Sequence, residues 1–217
     1  PLIIGIDHGY ASIKTANFVF PSGVVAFHAP PPVQQGLLEL EGRFFVCGSG
    51  RQPLTKDKTT NENYFLLTLA ALAKEVRLRA GDGKAEVVIA AGLPLTGFGK
   101  DKAAFRSYLF PKKQPLAFRF EEQDYSILVM DVIVLPQGFS AIAANMAVLE
   151  NEPSVVIIDI GGWTVDVMRM DNRAVDTSTC RSLELGVIRC MDEVKEQVRR
   201  SLSLSLTDAQ VQAILSD

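Results

Sequence analysis

Two short segments of this 217-residue chain repeat each other 152 positions apart, without a gap. Ile4-Gly5-Ile6-Asp7-His8-Gly9-Tyr10-Ala11-Ser12-Ile13-Lys14 aligns with Val156-Ile157-Ile158-Asp159-Ile160-Gly161-Gly162-Trp163-Thr164-Val165-Asp166. Each copy reads as an apolar strand, an Asp, any residue, a Gly, two more residues, a hydroxyl, a β-branched residue and a charge. A lone Asp-x-Gly is only a turn signal. Two copies, each closing an apolar strand and opening another, point to a fold built on a duplicated strand–turn–strand unit.

The residue types suit a phosphate chain. Tight turns beside strands aim several N–H groups at one place. Gly9, Gly161 and Gly162 let the backbone approach anionic oxygens without a Cβ in the way. Ser12 and Thr164 add hydroxyl donors, and Lys14 can set a point charge against a phosphate. Asp7 and Asp159 stand where each strand ends. A pair of carboxylates suits Mg²⁺ held through its waters, as that ion usually is. Each position also has a plainer reading: Lys14 as a solvated strand residue, Asp166 as a structural hydrogen-bond partner, His8 as a turn residue.

Composition narrows the classes. A 47% hydrophobic, 22% charged chain with net charge −3 is an ordinary globular balance. No basic stripe joins its Lys and Arg, so direct nucleic-acid binding is not expected. No apolar run is long enough for a membrane span, and the chain opens on a strand with no signal-peptide pattern. Cys47, Cys180 and Cys190 are odd in number and lack C-x-x-C spacing. They read as reduced thiols in a cytoplasmic protein. With only His8 and His28, a multi-histidine metal site is excluded.

Periodicity predicts an α/β chain. Strands are expected over 2–6, 13–20, 23–27, 38–47, 87–91, 117–120, 126–135, 155–158, 165–170 and 174–179. Helices are expected from a capping box at Thr59-x-x-Glu62 to about Arg79, over 101–110, over 139–149 behind Pro136-Gln137-Gly138, and from Gly186 to about Arg200. A last helix opens at Thr207, with Thr207 and Gln210 as capping box and Leu206 and Val211 as staple.

The paired hairpins, Pro136-Gln137-Gly138, Phe20-Pro21-Ser22-Gly23 and Gly92-Leu93-Pro94 together resemble the actin, Hsp70 and sugar-kinase superfamily. They are most similar to ParM/StbA-type actin-like plasmid segregation ATPases. That resemblance implies an actin-like, ribonuclease-H-like two-lobe fold. Residues 1–150 would form the first lobe, with its core at 1–22 and 60–150 and a small insertion at about 23–59. Residues 151–217 would begin a second lobe that is incomplete here, since no glycine-rich adenosine motif follows Gly186. The resemblance implies ATP and Mg²⁺ as cofactors, with the metal held through water by Asp7 and Asp159. Gly9, Ser12, Lys14, Gly161, Gly162 and Thr164 would bind phosphates, and Lys195 and Glu196 would lie near the base and ribose. Gln137 would position the attacking water, as GTPase glutamines do. Self-association into filaments and a centromere-binding adaptor protein are the implied partners. A non-filamentous nucleotide-binding scaffold and a metabolite kinase on the same fold remain open alternatives.

Overall fold

The computed structural model describes residues 1–52, 57–94, 97–110, 114–138, 142, 145, 147 and 152–216. The chain divides into two compact units, Pro1–Ala144 and Asn145–Asp217. The helix expected over 139–149 lies outside the described residues apart from isolated positions.

The first unit is built on a nine-stranded mixed sheet. In chain order its strands are β1 (Leu2–His8), β2 (Ser12–Lys14), β3 (Val19–Pro21), β4 (Val24–Phe27), β5 (Leu37–Leu40), β6 (Arg43–Cys47), β7 (Lys84–Leu93), β8 (Leu116–Phe120) and β9 (Gln123–Pro136). They lie in the order β3-β2-β1-β7-β9-β8-β5-β6-β4. β1, β7 and β9 are parallel, and the other pairings are antiparallel. Helix α1 (Asn63–Arg79) precedes β7, and α2 (Phe98–Leu109) follows it. The three strands of segment 24–47 join the main sheet through β5 on β8.

Helix α1 buries Leu66, Leu67, Leu69, Ala70, Ala71, Leu72, Ala73 and Val76, which together face every direction around its axis. It can do so because it meets β1, β2, β4, β6 and α2. A helix apolar all round is a core helix, and the main cluster of Ile4, Ile6, Ile89, Phe105 and Val134 surrounds it.

Three local expectations change. The strand expected over 13–20 is two short strands, β2 and β3, paired antiparallel. The Thr59–Glu62 capping box does not form: α1 starts at Asn63 with no side-chain cap. Thr59 instead donates from N and Oγ1 to Asp57 Oδ1, at 2.8 and 2.7 Å. Glu62 is held by both terminal guanidinium nitrogens of Arg43. A nearer carboxylate and a bidentate arginine out-compete a cap worth about 1 kcal/mol. The strand expected over 38–47 is a hairpin that turns at Glu41-Gly42, both at positive φ.

The β8–β9 turn has the same handedness but no glycine. Glu121 (φ 47°) and Glu122 (φ 69°) both sit in the left-handed region, where a side chain costs roughly 1 kcal/mol. Glu121 is compensated: its carboxylate accepts from Gly36 N at 2.9 Å and Arg77 Nη2 at 2.8 Å. Glu122→Gly should therefore raise the unfolding free energy by about 0.5–1 kcal/mol. Glu121→Gly should lower it by about 1–2 kcal/mol, because it strips those bonds. Urea denaturation of the two variants reads the opposite signs.

The second unit carries a three-stranded antiparallel sheet, β10 (Ser154–Ile160), β11 (Val165–Asp171) and β12 (Ala174–Leu183). Helices α3 (Val187–Leu202) and α4 (Asp208–Ser216) follow. The capping box at the start of α4 is present: Gln210 N donates to Thr207 Oγ1 at 3.3 Å, and Thr207 N to Gln210 Oε1 at 2.8 Å. Among the described residues no helix is long and apolar enough to cross a membrane.

Candidate functional site

The first hairpin joins β1 to β2, with Asp7 opposite Lys14. A Cβ on Gly9 would lie 2.6 Å from Ser12 O, so only glycine closes this turn without displacement. Three of the turn's carbonyls are taken up by protein donors. Lys58 Nζ donates to His8 O at 2.5 Å. Ser22, fully buried, donates from its hydroxyl to Tyr10 O and from its amide to Ala11 O. With its carbonyls engaged by protein donors, the turn can offer N–H groups to an anion.

His8 is a core residue rather than a turn residue. Thr68 Oγ1 donates to Tyr64 O at 2.7 Å, so at 2.8 Å it must accept from His8 Nε2. That leaves the neutral tautomer with a bare Nδ1. Burial, and then the neighbouring Lys58 charge, push the imidazole down to about 3, against weak support from the Ile6 carbonyl. A folded value below the unfolded 6.5 gives stability that is complete above pH 6.5 and is lost as pH falls toward 3. Between pH 6.5 and 5 the chain should lose about 2 kcal/mol through this group. His8→Gln, which keeps a donor for Thr68, should remove that slope in denaturation curves taken across the range.

Asp7 organises its surroundings. Its Oδ1 accepts from Gln137 Nε2 at 2.8 Å, across 130 positions of sequence. Its Oδ2 lies 3.6 Å from Lys14 Nζ. Gln137 reaches it from the end of β9, where Gln137 N also donates to Leu93 O at 2.8 Å. Gly92 makes room, since a Cβ there would sit 2.9 Å from Gln137 Cγ. A carboxylate only accepts, so the amide nitrogen of Gln137 faces Asp7 and its Oε1 faces away.

The second hairpin joins β10 to β11, with Asp159 opposite Asp166. Gly161 N donates to Thr164 O at 2.8 Å. Thr164 Oγ1 donates to Asp166 Oδ2 at 3.1 Å, and Ser182 bonds the other oxygen of Asp166. Here too the turn's carbonyls are taken up by protein donors, at the start of α3. Gly186 N donates to Trp163 O at 2.8 Å, Val187 N to Gly161 O at 3.1 Å and Ile188 N to Gly162 O at 2.9 Å. These are amides that a helix N-terminus otherwise leaves unpaired. A Cβ on Gly186 would lie 2.4 Å from Trp163 C and 2.6 Å from Gly162 C.

Lys195 and Glu196, on α3, are engaged within their own unit. Lys195 Nζ lies 2.6 Å from Asp192 Oδ1 and 2.7 Å from Asp208 Oδ1, whose hydrogen bonds raise its ammonium above its ordinary value. Glu196 accepts from Arg199 and Arg200, and these bonds lower it to about 2. The structure thus brings Asp7, Lys14 and Gln137 together around the first hairpin. In the second it gathers Gly161, Gly162 and Thr164, with Asp159 at the end of β10. Sequence reasoning missed Lys58, Gly186 and Ser182, and it valued Ser22 and Gly92 only as parts of motifs. A glycine immediately before an expected helix was the available signal.

The profile described as the actin like proteins N terminal domain matches residues 5–139. No match was found among curated protein sequences. Among solved structures, the archaeal actin homolog Ta0583 in complex with ADP superposes with a TM-score of 0.79 at 21% identity, over 100% of this chain and 71% of that one. A 15-stranded ParM filament from Clostridium botulinum gives 0.73 at 21% identity, over 99% and 74%. The AlfA filament from B. subtilis plasmid pLS32 gives 0.68 at 17% identity, over 94% and 79%.

Proposed function

The chain belongs to the actin-like proteins, and on that premise we propose that it is an ATP-binding, ATP-hydrolysing filament protein of the plasmid-partition type. The observation that carries this reading is the pair of hairpins whose carbonyls are taken up by protein donors, each closed by a glycine that a Cβ would crowd, at 2.6 Å from Ser12 O for Gly9 and 3.0 Å from Thr164 O for Gly161. Backbone turned in this way suits a polyphosphate. The ADP bound in the archaeal homolog supports a nucleotide as the ligand.

In this reading residues 1–150 form the first lobe, with a small insertion at 23–59, and 151–217 belong to the second. Gly9, Ser12 and Lys14 bind phosphates from the first hairpin, and Gly161, Gly162 and Thr164 from the second. Asp7 and Asp159 would hold Mg²⁺ through water. The ion, when bound, neutralises charge on the β- and γ-phosphates. Asp7 also orients Gln137, whose Oε1 accepts a hydrogen bond from the attacking water and directs its lone pair at phosphorus. A neutral amide orients water without removing its proton, which suits slow, timed hydrolysis. Lys195 and Glu196 turn to the nucleoside by exchanging exposed ion pairs, which are weak and salt-screened. An acidic chain reaches DNA through a centromere-binding adaptor rather than by its own charge. The cytoplasm supplies the nucleotide and keeps the three free thiols reduced.

Adding ATP and Mg²⁺ to the full-length protein should raise light scattering, which should fall again as phosphate is released. ADP should give no rise. Phosphate release at constant scattering would replace the filament reading with a monomeric ATPase. Phosphate transfer only in the presence of an added sugar would replace it with a kinase. Nucleotide binding with neither signal would leave a scaffold.

A further inference from the structure

Away from the hairpins, the first unit holds a cavity of about 450 Å³ where β3, the loop after β6, α1 and the β8–β9 turn meet. Its walls include Val19, Phe20, Val46, Gly48, Lys74 and Glu121. Lys74 is the unusual member. Its side chain is only 20% exposed. Its Nζ lies 5.8, 5.8 and 5.4 Å from the ring centroids of Phe18, Phe20 and Phe120. Aromatic faces therefore stand where water would otherwise solvate the ammonium.

Its carboxylate neighbour does not complete it. Glu121 Oε1 is 3.6 Å away, beyond hydrogen-bond reach. Glu121 is already bonded to Gly36 N and Arg77. Two cations thus share one carboxylate, and the nearer contact belongs to Arg77, which does not line the cavity, so Lys74 is the cation of the wall left loosely paired. An ammonium largely withdrawn from water costs free energy unless it is closely paired, and this one, with its carboxylate at 3.6 Å, faces an open cavity. The remaining walls mix apolar side chains with Gln35, Ser49 and exposed backbone, and the volume lies in the range of small-molecule sites.

We propose that this cavity binds a small organic carboxylate with an aromatic or branched aliphatic body. Its carboxylate meets Lys74, and its apolar part lies on Val19, Phe20 and Val46. The ligand would touch β3, α1, the segment between β4 and β5, the end of β6 and the β8–β9 turn at once, so its binding stiffens the join between segment 24–47 and the rest of the unit. No residue of either hairpin turn is among the lining residues, and the proposal is independent of the nucleotide reading.

The probes are phenylacetate, its neutral amide phenylacetamide and inorganic phosphate, titrated against the full-length protein by ligand-observed NMR. Phenylacetate should bind at least about tenfold more tightly than phenylacetamide, and Lys74→Met should remove that difference. Val19 is 68% exposed, so changes there keep the fold. Val19→Glu should weaken phenylacetate binding and Val19→Lys should strengthen it, which keeps the test decisive even if Lys74→Met does not fold. Binding should persist when ADP is present. Equal binding of acid and amide, no binding of either, phosphate competing as strongly as phenylacetate, or indifference to the charge at position 19 would each overturn the proposal.

Discussion

Asp7→Ala should lower MgATP turnover in the full-length protein by at least about a hundredfold, the scale of loss expected when a reacting group is misplaced by about 1 Å. Three functions are removed at once. On the proposed reading the metal would lose a carboxylate, while Lys14 loses the partner 3.6 Å away and Gln137 loses the acceptor that fixes its amide at 2.8 Å. Gln137→Ala removes only the last, so it should cost about tenfold or somewhat more, with ATP affinity little changed. Asp7→Asn separates the parts: its Oδ1 still accepts from Gln137, but the charge is gone. If charge dominates, Asn should behave like Ala. If orientation dominates, Asn should fall near wild type. Phosphate-release rates at saturating ATP, with calorimetric titration of each variant, give both quantities. Wild-type turnover in Asp7→Ala would end the assignment, and equal losses of rate and affinity in Gln137→Ala would make Gln137 a binding residue. Asp159→Ala should abolish turnover in the same assay.

Gly186→Val should be the most damaging single change in the second unit. The new Cβ would lie 2.4 Å from Trp163 C and 2.6 Å from Gly162 C. Both are backbone atoms, so no side chain can swing aside. Helix α3 must back away and give up the bonds from Gly186, Val187 and Ile188 to the turn. Three hydrogen bonds and three orphaned amides amount to about 2–4 kcal/mol. Hydrogen exchange at amides 186–188 should accelerate, and nucleotide should no longer raise the melting temperature. Ser203→Gly, where the C-cap of α3 has a φ of 56°, is the control at the opposite end of the helix. It should be neutral or slightly stabilising. A Gly186→Val protein with normal protection at 186–188 would mean that the helix start does not depend on the turn.

Much of the fold was legible because it is local. The duplicated segment marked β1–β2 and β10–β11, and the apolar runs marked β7 and β9. Thr207 and Gln210 marked the start of α4. The parts that escaped depend on distant partners. Asp7 and Gln137 are joined across 130 positions, a relation no periodicity carries. Thr59 and Glu62 had the right spacing for a cap, but Asp57 and Arg43 offered stronger bonds. His8 looked like turn material because it follows Asp7 and precedes Gly9, yet its side chain points to Thr68 on α1. For the candidate site, residue types and spacing pointed to the backbone turns. The buried donors behind them, Lys58 and Ser22, carried no pattern of their own.

The seating of α3 on the second turn has a mechanical consequence. A helix of 16 residues is a stiff rod about 24 Å long. Its first three amides are bonded to the turn with no side chain between them, so the rod has almost no slack at its pivot. A rotation of roughly 5° at the turn would move the far end by about 2 Å. Near its middle, Lys195 ties it to Asp208 at the start of α4, so the second helix is carried along. Any reshaping of those few backbone atoms is thus geared up into displacement at a remote surface, and a turn of four residues can act as the fulcrum of a lever.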